Sequence, residues 1–462
     1  MKQFLLILLL AGTLITNGYS QYSSGDSVFI ASIYKNELTQ GQGYNWLKVL
    51  CLNIGNRISG SSNLDRADTY MKRLMDSLKF DKVWLQQCQV PHWVRGDKEI
   101  GKVVRSNTGA FPIEIAALGN TNGTGPKGIS AEVLRVSSLQ ELMNMTEAQV
   151  KGKIVFFDKH FETEHINTFE GYGHTVSARS RGPEAAMKKG AVAALVRSVS
   201  TNHDNKPHSG ATRFEDYTQT IPSFAIGVLS ADKLTDALSK GSVTIYLKSN
   251  SKYLGLTNGY NVIGEITGAK FPDEVIVTSG HLDSWDVGQG AHDDGTGCIH
   301  AIESVEVLRR LGYKPQRTLR VVLFVNEENG TAGAKKYAEF AKSENKKHIL
   351  AIESDAGGHA PTGFAWEATK EKAGMYSDRI HSWKNYWDQY GYSLYQGESG
   401  VDVGYLQSLG TCLMGLLPES QRYFDYHHSP NDTFDKVNAR ELHLGTAAIA
   451  SVIYLVDKYG WE

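Results

Sequence analysis

Five short segments gather histidine and carboxylate in patterns suited to metal chemistry. They are "GHLDSW" from Gly280, "GAHDDGTG" from Gly290, "NEENG" from Asn326, "ESDAGG" from Glu353 and "HHSPNDT" from His427. His281, Asp293, Glu328, Asp355 and a histidine of the last segment form a mixed nitrogen and oxygen donor set. Unpaired carboxylates gathered in one place repel one another and are costly to desolvate, so a cation is the economical explanation. Imidazole donors argue against calcium or magnesium and for zinc or a similar transition metal. Two histidines and three carboxylates exceed one tetrahedral ion with an open position. They suit two ions if one carboxylate bridges them. Such pairs, about 3.5–4 Å apart, activate a shared water and clamp the oxyanion of an acyl-transfer intermediate.

The elements that must position these residues are legible as alternating strands and helices. "NVIGEITG", "DEVIVTSGH", "TLRVVLFVNEE" and "HILAIESDAGG" read as strands, with "GCIHAIESVEVLRRLG" and "AGAKKYAEFAKSE" as amphipathic helices between them. This order predicts an α/β fold whose mixed, mostly parallel sheet is sandwiched by helices. Three strands end in charge, at "GHLDSW", "NEENG" and "ESDAGG". Ligands of open α/β sheets bind outside the carboxyl ends of the strands, so the acidic groups should converge on one rim. Residues 26–80 read as largely helical. A different texture of short alternating elements runs over 110–250 and predicts an inserted domain with its own core.

Together the five segments resemble the co-catalytic dizinc aminopeptidase and carboxypeptidase family. The resemblance implies a zinc-exopeptidase fold of the phosphorylase/hydrolase-like kind. It also implies that 110–250 is a protease-associated domain, inserted between an N-terminal part of the peptidase domain (21–109) and the catalytic domain (251–462). It implies two Zn2+ per subunit, one held by His281 and Asp355 and the other by Glu328 and His428, with Asp293 bridging. His427 is then a spectator, and the Asp293–Asp294 bond is cis. Glu327 is the expected general base, and a homodimer is the expected assembly. Asp283, two residues after His281, shares its side of an extended backbone and is expected to accept the second imidazole N–H. Glu327 and Glu328 diverge if the backbone there is extended. Glu398 and Asp402, in "GESGVDVG", are the candidates for binding the substrate ammonium or for the pocket wall. His292 departs from the family pattern and is assigned to a hydrogen bond or a substrate contact, and His359 to the rim.

The whole chain sets outer bounds. It has 462 residues, 41% apolar and 21% charged, with a formal net charge of −2. This balance gives no electrostatic case for nucleic acid or an anionic membrane surface. Lys2, the apolar run from Phe4 to Ile15 and Gly18-Tyr19-Ser20 read as a secretory signal over 1–20. With no second long apolar stretch, the expectation is a secreted or lumenal protein without a membrane anchor. Cys298 and Cys412 read as buried thiols; Cys51 and Cys88 either pair or remain reduced. Sequons stand at Asn122, Asn144, Asn329 and Asn431, the first two being the expected acceptors. "GTGPKG" at 123–128 and "HFETEH" at 160–165 read as loops. The functional expectation is a zinc-dependent exopeptidase acting on dipeptides or short peptides with free termini. The alternatives are an aminopeptidase on longer peptides, a glutaminyl cyclase-like acyltransferase, and a catalytically inactive binding protein.

Overall fold

The computed structural model describes residues 24–461, so the signal reading of residues 1–20 lies outside the described residues. Two eight-stranded sheets organise the chain. In spatial order the first sheet contains Lys82–Val94, Lys252–Ile266, Arg317–Phe324, Phe271–His281, Lys347–Glu353, Cys412–Pro418, Pro361–Glu367 and Ser393–Gln396. Phe271–His281 is parallel to both of its neighbours, and Lys347–Glu353 is parallel to Cys412–Pro418. Antiparallel pairs flank this parallel centre on either side, and the edge strand Ser393–Gln396 runs parallel to Pro361–Glu367.

Helices cover both faces, which is why the central strands are apolar runs rather than alternations. Arg317–Phe324 is buried at every position. Successive side chains of a strand point to opposite faces, and the packing follows that rule. Val275 and Val277 join Ala334 and Tyr337 of the Ala332–Ser343 helix. Ile276 joins Ile299 and Ile302 of the Thr296–Arg310 helix, together with Ile449 and Ile453. The Ala439–Tyr459 helix is long and apolar enough to cross a membrane, contrary to the expectation that no second such stretch exists. It lies in the core instead, packed on Thr296–Arg310 and Ser24–Gln40. Its polar positions are spread along the sequence, which hid the stretch from a reading by unbroken apolar runs.

Residues 100–248 build the second sheet, with separate apolar clusters of their own. Its first strand, Ile100–Arg105, precedes the texture change near 110. That strand is mostly exposed and carries little apolar signal. Trp93 and Trp285 of the first unit pack edge to face and join the cluster of the second, so the two units share an interface. All four cysteines are free and buried. Asn144 is exposed, whereas the Asn122 amide donates to the Tyr217 carbonyl and the Thr220 hydroxyl.

The N-terminal helix, Ser24–Gln40, is clasped to the catalytic unit by buried charge. Glu37 and Glu303 are both fully buried. Arg310 donates to each, at 2.6 Å to Glu37 Oε2 and 3.2 Å to Glu303 Oε1, and the Gln42 and Gly43 N–H groups donate to Glu303. Burial pushes both carboxyls up to about 7, and the neighbouring Glu37 adds to the shift at Glu303. The native state therefore keeps protons that the unfolded chain has released between the ordinary glutamate value of 4.5 and about 7. The stability from this cluster is present below that window and is lost as pH rises through it. Urea denaturation should show the wild type losing stability relative to Glu37→Gln as pH is raised from about 5 to about 7. Parallel curves for the two proteins would contradict this.

Candidate metal centre

The parallel centre of the first sheet delivers three charged segments to one rim. His281 ends Phe271–His281, Glu327 and Glu328 follow Arg317–Phe324, and Asp355 follows Lys347–Glu353. Asp293 comes from the loop that opens the Thr296–Arg310 helix, and His428 from the segment ahead of Ala439–Tyr459.

These residues meet around one carboxylate. His281 Nε2 lies 3.4 Å from Asp293 Oδ1 and 3.2 Å from Asp355 Oδ1. His428 Nε2 lies 3.2 Å from Asp293 Oδ2 and 3.0 Å from Glu328 Oε2. Asp293 thus turns one oxygen toward each histidine, and each histidine has a second carboxylate of its own. The donor atoms of His281, Asp293 and Asp355 all lie within 4.8 Å of one another. Asp293 Oδ2 and Glu328 Oε1 are buried without a hydrogen-bond donor. Leaving such acceptors unsatisfied costs about 1–3 kcal/mol each, and more when charged. Buried acceptors that lack donors and sit among imidazole nitrogens fit a bound transition-metal ion, and zinc in particular.

Charge is correspondingly high. Burial pushes Glu327 well above the usual carboxylate range; Asp355 and Glu328 reinforce the shift, while His281 opposes it. Burial also raises Glu328, to about 7, with Asp293 adding to it. Asp293 moves the other way. Burial alone would raise it, but the facing imidazoles of His281 and His428 hold it well below the usual range.

Two expectations about the supporting residues are corrected. The His281 Nδ1 partner is the backbone carbonyl of Asp283, at 3.0 Å, while the Asp283 carboxylate stands 3.8 Å away. That carboxylate instead accepts from the Glu327 N–H at 3.1 Å and the Ser59 hydroxyl at 3.0 Å. Asp283 therefore anchors the segment that carries Glu327. Nor is the backbone extended there. Asn326 has φ 70 and residues 327–330 form a turn, so both glutamates reach the cleft from a bend.

The Asp293 loop is fixed from several sides. Asp432 accepts from the His292 N–H at 2.7 Å and the Asp293 N–H at 3.2 Å. Asp294, joined to Asp293 by a cis peptide, accepts from the His281 and Gly297 N–H groups at 3.0 Å each. The fully buried Arg57 donates to the carbonyls of Leu282 at 2.6 Å, Gln289 at 2.8 Å and Gly290 at 2.9 Å. Gly290 has φ 61, and a Cβ there would stand 2.4 Å from Ser284 Cβ, so this bend requires glycine.

The remaining candidates separate. His427 stacks on His428 with ring centroids 3.5 Å apart and lies 3.9 Å from Asp293. Donor atoms of the three lie within 4.8 Å of one another, but among the described residues Glu328 pairs with His428, at 3.0 Å, and not with His427. Glu398 is exposed and lines the cleft. Asp402 is buried behind the wall with neither carboxylate oxygen hydrogen-bonded, so it is not a surface contact for substrate. Burial, reinforced by Glu353, pushes its carboxyl well up. His292 and His359 are both fully buried and stack on each other at 4.4 Å, which places His359 in the interior rather than on the rim. His292 Nδ1 accepts from the Gly358 N–H. Sequence reading missed Arg57, Asp432 and Arg179. Of these only Asp432 lay inside a quoted motif. Arg179, from the second unit, lines the cleft with its Nη1 3.4 Å from His428 Nδ1.

The chain is similar to known proteins over most of its length. Residues 261–453 match the family model described as Peptidase family M28. Human carboxypeptidase Q is 36% identical over 418 residues, spanning 90% of this chain and 85% of that protein. Carboxypeptidase Q of Xenopus laevis is 35% identical over the same length, 90% of this chain and 86% of that protein. The solved structure of a peptidase M28 precursor from Shewanella amazonensis SB2B superposes with a TM-score of 0.88 at 34% identity. It covers 94% of this chain and 96% of that one. A zinc aminopeptidase from Bacillus subtilis shares the fold, with a TM-score of 0.63 at 18% identity over 88% of this chain and 94% of that one. The chain belongs to peptidase family M28, among the relatives of carboxypeptidase Q, and is a zinc metallopeptidase.

Proposed function

We propose that the protein is a secreted or lumenal dizinc exopeptidase that hydrolyses dipeptides or short peptides with free termini. The observation that carries the reading is the division of Asp293 between two histidines, each with its own carboxylate. His281 and Asp355 would hold one zinc and His428 and Glu328 the other, with the Asp293 carboxylate available to both. His428 is preferred to His427 because it alone meets both Glu328 and Asp293. Bound zinc supplies Lewis acidity to polarise the scissile carbonyl and to acidify water. Glu327, held by its own N–H on Asp283, takes the proton from the attacking water and passes it to the departing amine.

Arg179 supports recognition of a free carboxyl terminus. It lines the cleft, donates to the Tyr172 hydroxyl at 2.8 Å and holds its Nη1 3.4 Å from His428 Nδ1. A residue spans at most about 3.3–3.6 Å of extended chain. A carboxylate held beside His428 therefore leaves room for roughly one residue after the scissile bond. The N-terminal signature over residues 1–20 supports export. A homodimer without nucleic-acid or membrane partners completes the reading. The full set of histidines and carboxylates speaks against the cyclase-like and inactive alternatives.

Glu327→Gln should leave metal content unchanged while lowering turnover by about 10²–10⁴-fold; wild-type turnover would remove Glu327 from its role. A panel of free, N-blocked and C-amidated dipeptides and longer peptides separates the substrate readings. Arg179→Met should weaken binding of free dipeptides by about 1.5–3 kcal/mol, roughly 10–150-fold in KM, and leave C-terminal amides unaffected. Equal losses on both would assign Arg179 a structural role. Efficient cleavage of long amidated peptides would favour the aminopeptidase.

A further inference from the structure

The "HFETEH" segment gains a partner in the fold that its spacing does not reveal. Glu162 and His165 lie in the loop after Ile154–Phe157, and His174 in the last turn of the Thr168–Thr175 helix. Glu162 Oε2 is 2.7 Å from His174 Nδ1 and 3.5 Å from His165 Nε2. The donor atoms of all three residues lie within 4.8 Å of one another. The two imidazoles stand nearly perpendicular, at 79° with centroids 5.2 Å apart.

We propose that Glu162, His165 and His174 form a third metal site, for zinc or another first-row transition ion, on the outer wall of the cleft. Two nitrogens and one carboxylate oxygen are the donor types such ions select over calcium or magnesium. The far side of His165 supports the assignment independently. Its Nδ1 lies 3.1 Å from Glu170 Oε2, and a carboxylate on the second imidazole nitrogen fixes the orientation of a ligating ring and raises its basicity. Lys159 holds the other Glu162 oxygen, Oε1, at 2.6 Å, which leaves Oε2 facing the histidines. The side chains of Glu162, His165 and His174 are 26%, 24% and 58% exposed. An ion thus has a path in, and water completes its coordination. With two half-buried ligands and one exposed, this site fills at higher free metal than the buried Asp293 centre.

The location gives the ion a consequence. The same loop docks on the segment leading to His427 and His428. The Ile166 carbonyl accepts from Gln421 Nε2 at 2.6 Å, the Thr168 hydroxyl donates to the Ser420 carbonyl at 2.8 Å, and Phe169 stacks on Tyr423 at 5.3 Å. An ion tying Glu162 and His165 to His174 pins this stretch of the cleft wall.

The test is metal stoichiometry on the holoenzyme. Zn2+ is titrated calorimetrically, and the ions are counted by elemental analysis at each free-metal concentration. The wild type should bind one more equivalent than His165→Ala/His174→Ala, and Glu162→Gln should match the double variant. The difference counts this site alone, whatever the Asp293 centre holds, so failure here is distinct from failure of the dizinc reading. Equal uptake by wild type and variants would reduce the cluster to ion pairs and overturn the proposal.

Discussion

One carboxylate facing two imidazoles is the constraint on which the rest of this structure depends. Asp293 is buried, flanked by His281 and His428, and close to Asp355 and Glu328. Concentrated negative charge of this kind is unfavourable in a protein interior unless cations neutralise it. Much of the surrounding architecture holds Asp293 where both oxygens are usable. Asp432 takes its N–H, Asp294 is pinned to the amides of His281 and Gly297, and Arg57 gathers the carbonyls of the approaching loop. These contacts are to backbone, so they fix the path of the chain rather than any one rotamer.

The sheet explains why residues distant in sequence can meet. Parallel strands share a carboxyl rim, and Phe271–His281, Arg317–Phe324 and Lys347–Glu353 are parallel neighbours. The side chains following them therefore appear together without long loops. The second sheet contributes the facing wall. Arg179 and the stretch around Phe169 come from that unit, against His428 and Tyr423 of the first. The candidate metal ligands sit on one unit, and residues of both units line the cleft beside them.

How much of this was legible depended on what each residue contacts. His281, Glu328 and Asp355 were legible because donor type and strand-end position are properties of the sequence, whereas the bridging place of Asp293 and the choice of His428 over His427 came from the family resemblance. The alternating strands and helices were recoverable because burial on both sheet faces leaves unbroken apolar runs. Arg57 carried no signal, since its partners are carbonyls, which every residue has. Arg179 was equally silent, because the histidine it faces, His428, lies on a different unit. Asp283 was placed near His281 correctly but given the wrong bond. The backbone carbonyl satisfied the imidazole, freeing the carboxylate for the Glu327 turn. His359 and Asp402 read as rim and substrate contacts because polar residues near a site invite that assignment, yet both are buried.

The central claim is that two ions share Asp293. Anomalous diffraction from crystals of the purified enzyme, recorded on both sides of the zinc absorption edge, examines it directly. The account predicts two peaks flanking the Asp293 carboxylate, one beside His281 and Asp355 and the other beside His428 and Glu328. A single peak there at full occupancy, or none, would contradict it.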